Sequence, residues 1–165
     1  YQAAGHMIWE GLVLEGLAVT RAVHDRYAPH RRNPYNEIEC SDHYARSMAS
    51  YGVYLAACGF EYDGPKAHIG FAPRLTPQNF KAAFTSAEGW GTAEIQDSKF
   101  KIQVRWGTLR VKTIALATRK KSAKVRVNGQ SVAATARAEN GRLLITLSAP
   151  ATIEAGGTLE ISAAG

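Results

Sequence analysis

From Ala3 to about Tyr27 the apolar residues Met7, Ile8, Leu12, Leu14, Leu17, Ala18, Val23 and Tyr27 recur mostly at helical spacing. Glu10, Glu15, Arg21, Asp25 and Arg26 supply a polar face, which predicts one long amphipathic helix closed by Pro29. Gly5, Gly11 and Gly16 each weaken a helix by about 1 kcal/mol relative to Ala, so they are expected where neighbouring helices approach closely. A second helix is predicted from Ser41, as N-cap, to Cys58, with Gly59 as C-cap. Its stripe of Tyr44, Met48, Tyr51, Leu55 and Cys58 lies opposite the small, uncharged Ala49, Ser50, Val53 and Ala57, so both faces call for cover. Two helices cannot supply that cover, and they are expected to belong to a larger helical assembly.

Between Gly64 and Pro77, glycine and proline break the pattern. A short helix is predicted from Pro77 to Ala87, with Phe80, Ala83, Phe84 and Ala87 on one side, followed by a Gly89-Trp90-Gly91 bend. Trp90 is expected to plug a junction between two layers rather than to form a sugar-stacking platform. Beyond Thr92 the period becomes two: Phe100, Ile102, Val104 and Trp106 alternate with Lys99, Lys101, Gln103 and Arg105. A further strand is predicted from Leu109 to Ala117, and hairpins at Asn128-Gly129 and Asn140-Gly141, with a last strand around Leu159 and Ile161. The predicted fold class is therefore mainly α then β, ending in an antiparallel β-sandwich-like region. The predicted domains are residues 1–91 and 92–165.

Composition adds two constraints. With 45% hydrophobic and 21% charged residues the chain is globular, and no apolar run reaches the roughly 18 residues of a membrane span. The net charge of +6 is uneven: residues 1–65 hold five Arg/Lys against eight Asp/Glu, and residues 66–165 hold fifteen against six. The basic residues of the second half alternate with apolar ones along strands, which predicts a solvated sheet face rather than a nucleic-acid surface. On one continuous helix Cys40 and Cys58 would lie about 27 Å apart, too far for a bridge. Neither the cysteines nor a leader identifies a compartment. A chain that opens at Tyr1 with a helix already under way is expected to be a portion of something longer.

The candidate chemistry lies between Asn33 and Cys58. A loop holding Glu37 and Glu39 leads directly into an almost uncharged helix, which is costly to bury unless the loop has a ligand. Glu37 and Arg46 are nine residues apart, about two and a half helical turns, and would face opposite ways on one helix. They share a cleft only if Glu37 lies in a loop off the helix. A carboxylate and a guanidinium can then hold a polyol through their planar two-atom edges. The plainer alternative is a structural ion pair pinning loop to helix. Glu39, His43, His68 and Arg74 are weaker candidates. The histidines lack metal-ligand spacing, and Glu37 and Glu39 lie too close in sequence to flank a glycosidic bond. No nucleophile elbow, phosphate loop or dinucleotide fingerprint is present, and no cofactor is called for.

The run Arg32-Asn33-Pro34-Tyr35-Asn36-Glu37-Ile38-Glu39-Cys40, continued by His43-Tyr44-Ala45-Arg46-Ser47-Met48-Ala49-Ser50, resembles the final helical hairpin of glycoside hydrolase family 116. That family includes non-lysosomal glucosylceramidases and bacterial β-glucosidases. Tyr1-Gln2-Ala3-Ala4, His6 to Leu12, Gly70-Phe71-Ala72-Pro73-Arg74 and Glu88-Gly89-Trp90-Gly91 carry the same likeness, which covers about residues 1–91. The sheet beyond is less diagnostic and resembles a C-terminal appendage of some bacterial relatives. The resemblance implies the last helices of an (α/α)6 toroid, with Glu37 and Arg46 binding the glycone hydroxyls of a β-linked sugar. The nucleophile and the acid/base of a retaining glycosidase would come from an upstream portion, so the chain alone is expected to hold sugar without cleaving it. A non-catalytic carbohydrate-binding or assembly module is the alternative.

Overall fold

The computed structural model describes residues 1–26, 36–37, 41–42 and 46–165, with side chains described for 1–26 and 48–165. The described residues are mostly strand, 52% of the chain, with three short helices. They form two compact units, Tyr1–Gly59 and Phe60–Gly165.

In the first unit the single long helix predicted from Ala3 is divided into α1 (Gln2–Trp9) and α2 (Val13–Arg26). Gly11 is the reason. It sits at φ +90°, where a side chain would be strained, and its N–H bonds the carbonyl of Ile8 while the Leu12 N–H bonds that of Met7 at 2.8 Å. This is a Schellman cap, which satisfies the last carbonyls of α1 and turns the chain. Gly16 does serve close packing: a Cβ there would lie 2.6 Å from Ile8 Cγ1 and 2.7 Å from the Ala4 carbonyl oxygen.

The helix predicted from Ser41 begins instead at Arg46. Ser41–Asp42 is a short strand, β2, paired antiparallel with β1 (Asn36–Glu37), and α3 spans Arg46–Cys58. Gly59 follows at φ +54° with its N–H on the Ala56 carbonyl, the C-terminal stop expected of it. The buried side of α3 runs between the two predicted faces: Val53 from the small face and Ala56 join Ala4 and Ile8 in the unit's core, Cys58 from the larger stripe is buried too, and Ser50 is exposed. Met48 and Tyr51, from the larger stripe, are exposed, as are Leu12 and Leu14. Cys58 is a free, buried thiol, and burial pushes its pKa up against the opposing effect of a hydrogen bond with Tyr54. A toroid of helix pairs is not present among the described residues.

The second unit is all strand, and pairing starts at Glu61 rather than beyond Thr92. β3 (Glu61–Asp63), β4 (His68–Phe71), β5 (Asn79–Thr85) and β6 (Gly89–Gln96) precede β7 (Lys99–Leu116). β8 (Ser122–Val127), β9 (Gln130–Val132), β10 (Ala134–Glu139), β11 (Arg142–Glu154) and β12 (Thr158–Ala164) complete it. The short helix predicted over Pro77 to Ala87 is strand β5. Phe80, Ala82 and Phe84 are its buried set, at a period of two that the neighbouring small Ala83 obscures in the sequence.

The two strands predicted on either side of Trp106 are one, β7, and the unit is organised around it. Residues 99–107 pair with β6 or β12, and residues 108–116 pair with β11 or β4. The β4–β7 pairing is parallel, so the sheet is mixed rather than purely antiparallel. Phe71 on β4 meets Phe80 on β5 and Phe100 on β7 at ring separations of 6.1 and 5.6 Å, although β4 pairs with neither β5 nor that half of β7. Those rings therefore join two facing sets of strands. Both predicted Asn-Gly turns are present: Asn128-Gly129 joins β8 to β9 and Asn140-Gly141 joins β10 to β11, each residue at positive φ as the two-residue hairpin requires.

Candidate functional site

Glu37 lies on β1, opposite Ser41 on β2, and Arg46 opens α3. Glu37 is thus off the helix, which is the condition for sharing a cleft with Arg46. Both side chains lie outside the described ones. Glu39 and His43 also lie outside the described residues, and Arg74 is exposed in the segment between β4 and β5.

The structure assembles a polar cluster that the sequence reading reached only at His68. Strand alternation sends Ile69 and Phe71 into the core and leaves His68 and Gly70 on the opposite face. There His68 Nδ1 lies 2.8 Å from Thr113 Oγ1, and its Nε2 lies 3.6 Å from Glu61 Oε2. The other oxygen of Glu61 accepts a hydrogen bond from Arg142 Nη1. A Cβ on Gly70 would come within 3.1 Å of Glu61 Oε2 and 3.2 Å of Arg142 Nη2, so glycine leaves room for the ion pair. Arg142 Nε and Nη2 are buried without a hydrogen-bond partner among the described residues. Four strands, β3, β4, β7 and β11, are clasped by this chain of contacts. Arg142 was legible only as the residue after an Asn-Gly turn whose successor, Leu143, points inward.

Trp90 does not plug a layer junction: it is 48% exposed, and Trp106, placed by alternation in the buried stripe of its strand, is 63% exposed. The two are directly paired across β6 and β7. Gly91 pairs with Val104 and Trp90 with Trp106, so Arg105 is an extra, unpaired residue, a β-bulge. The bulge reverses the alternation after the buried Val104 and turns Trp106 outward. Three glycines allow it. A Cβ would meet the Gln103 carbonyl oxygen at 2.1 Å from Gly91, the Trp106 carbonyl oxygen at 2.6 Å from Gly89, and the Glu88 carbonyl oxygen at 2.0 Å from Gly107, which also sits at φ +68°.

The same strands carry a depression of about 360 Å³ lined by Glu94, Lys101, Arg126 and Glu160. Lys81 donates to Glu94 at 2.6 Å, and Lys101 lies 3.5 Å from Glu160. Glu94 and Glu160 flank β7 on its two sides, about 9.5 Å apart at the backbone. A glycosidase general acid needs a raised pKa, and Glu94 does not meet that need. The Lys81 hydrogen bond instead holds the Glu94 carboxyl below the usual range, over a smaller opposing effect of burial. A second cleft, about 510 Å³, lies at the strand ends between Gln78, Asp97 and Arg119.

No protein-family model matches the chain, and no curated protein matches it in sequence. Among solved structures, a weak similarity is found to the crystal structure of Ara127N-Se, a GH127 β-L-arabinofuranosidase from Geobacillus stearothermophilus T6, at 13% identity with a TM-score of 0.42. The match covers 72% of this chain but only 18% of that enzyme.

Proposed function

We propose that this chain is the C-terminal portion of a retaining β-glycosidase of the family 116 kind, and that Glu37 and Arg46 hold the hydroxyls of the glycone. The observation that carries the reading is the surface of the first unit. Among the described residues its core cluster is Ala4, Ile8, Val53 and Ala56, while Leu14, Met48 and Tyr51 stand exposed on the helices and Leu12 in the turn between α1 and α2. Large side chains crowded onto so small a unit are what remains when helices of a bigger assembly are taken alone. The placement of Glu37 on β1 and of Arg46 at the start of α3 supports the pairing, because a carboxylate off the helix can face a guanidinium at its first turn.

In this reading the two residues orient the sugar and do no bond-breaking chemistry. Glu37 accepts hydrogen bonds from hydroxyls and Arg46 donates to them, both as charged partners and therefore more strongly than neutral groups would. The nucleophilic carboxylate and the acid/base come from the rest of the enzyme. The test is the effect of Glu37→Gln and Arg46→Ala on β-glucoside turnover by the complete enzyme, where turnover is expected to fall without loss of folding.

A further inference from the structure

We propose that the outward face of β6 and β7 at Trp90 and Trp106 is a binding site for a neutral oligosaccharide, with the two indoles as its stacking platform. This site lies in the second unit and is independent of Glu37 and Arg46.

The bulge at Arg105 is the first argument. Regular alternation would have buried Trp106 with Phe100, Ile102 and Val104 in the core, a large gain for an indole. The chain instead places an extra residue at Arg105 and glycines at 89, 91 and 107, and both rings end in water. Directly opposed side chains on antiparallel strands have Cβ atoms about 5 Å apart, so the two indoles stand side by side on one face, each with its own apolar surface. Among the described residues neither ring stacks on another aromatic side chain. Bulges commonly re-aim a side chain next to a functional site.

The neighbours of the rings choose the ligand. Trp90 is paired on its other side with Thr85, and the next outward pair is Thr92 with Gln103, which is flanked in turn by Thr158. Hydroxyl and amide groups thus surround the indoles. Farther along the same face the lysines are matched by carboxylates, Lys81 by Glu94 and Lys101 by Glu160, around the 360 Å³ depression. A pyranose ring has an apolar C–H face that covers an indole and a rim of hydroxyls that pair with Thr and Gln. Lys81 and Lys101 are held in ion pairs, while Arg105 beside Trp106 and Arg126 in the depression add positive charge to the same face, so the salt dependence of binding separates a neutral sugar from a nucleic acid.

The experiment titrates the 165-residue chain with cellohexaose and with xylohexaose by calorimetry and tryptophan fluorescence, in low and high salt. Binding of at least one glycan, insensitive to salt, is expected. It should weaken about tenfold or more in Trp90→Ala and in Trp106→Ala, recover in part in Trp106→Phe, and persist in Trp9→Ala. Both sites are exposed, so unchanged melting temperatures should accompany these losses. Absence of binding to both glycans would overturn the proposal, as would affinity unchanged by both alanine variants. Salt-sensitive binding of oligo-dT in place of the sugars would also overturn it, and would assign the rings to base stacking.

Discussion

Trp90 and Trp106 face each other across β6 and β7 because Arg105 is looped out of the register between Val104 and Trp106. The geometry rests on Gly107, which combines φ +68° with a neighbouring carbonyl oxygen 2.0 Å from where a Cβ would stand. Gly129 shares the positive φ, at +79°, but has open space around it. Gly107→Ala should therefore cost about 3 kcal/mol and Gly129→Ala about 1 kcal/mol, measured by urea unfolding. Equal losses would mean that backbone conformation alone matters at the bulge.

The Glu61–Arg142 pair should show coupling, reduced by solvent. The Arg142 side chain is 24% exposed and that of Glu61 is 41% exposed, so screening limits the interaction. Arg142→Met and Glu61→Gln are each expected to cost about 1–2 kcal/mol, with a coupling of about 0.5–1 kcal/mol in the double-mutant cycle. Strictly additive losses would show that the two residues stabilise their strands independently.

Stability in acid should depend on the Lys81–Glu94 pair. Because the folded pKa of Glu94 is lowered, its contribution is fully present above the pH where an unperturbed glutamate titrates, about 4.3. It is lost as pH falls through the lower folded value. Lys81→Met removes that hydrogen bond, so the variant should lose less melting temperature than the parent between neutral pH and about pH 3. A parallel pair of pH profiles would contradict this role for Lys81.

Local signals were legible where a residue's own chemistry fixes the backbone. The Asn128-Gly129 and Asn140-Gly141 turns and the stop at Gly59 follow from conformations that those residues favour. The failures arose where two readings fit the same letters. Gly11 reads equally as a packing residue and as a cap, and only the Met7 to Leu12 hydrogen bond separates them. Phe80, Ala83 and Phe84 fit a helical face, but tertiary pairing with β6 selected Phe80, Ala82 and Phe84 instead. Trp106 continued a perfect alternation, and nothing in a period of two announces an extra residue at Arg105. The cluster of Glu61, His68, Thr113 and Arg142 joins positions up to 81 residues apart, a juxtaposition that only the strand order supplies. Glu37 and Arg46 were singled out by the loop's charge before a nearly uncharged helix, and the backbone separates them onto a strand and a helix.

The most direct test of the sugar-holding role is kcat/KM for an aryl β-glucoside with the complete enzyme carrying Glu37→Gln or Arg46→Ala. In the proposed role each substitution would remove charge-assisted hydrogen bonds to the glycone, so kcat/KM should fall about 10- to 100-fold while the melting temperature stays within about 1 °C of the parent. Unchanged kcat/KM together with a lowered melting temperature would contradict the account and leave the two residues as a structural ion pair.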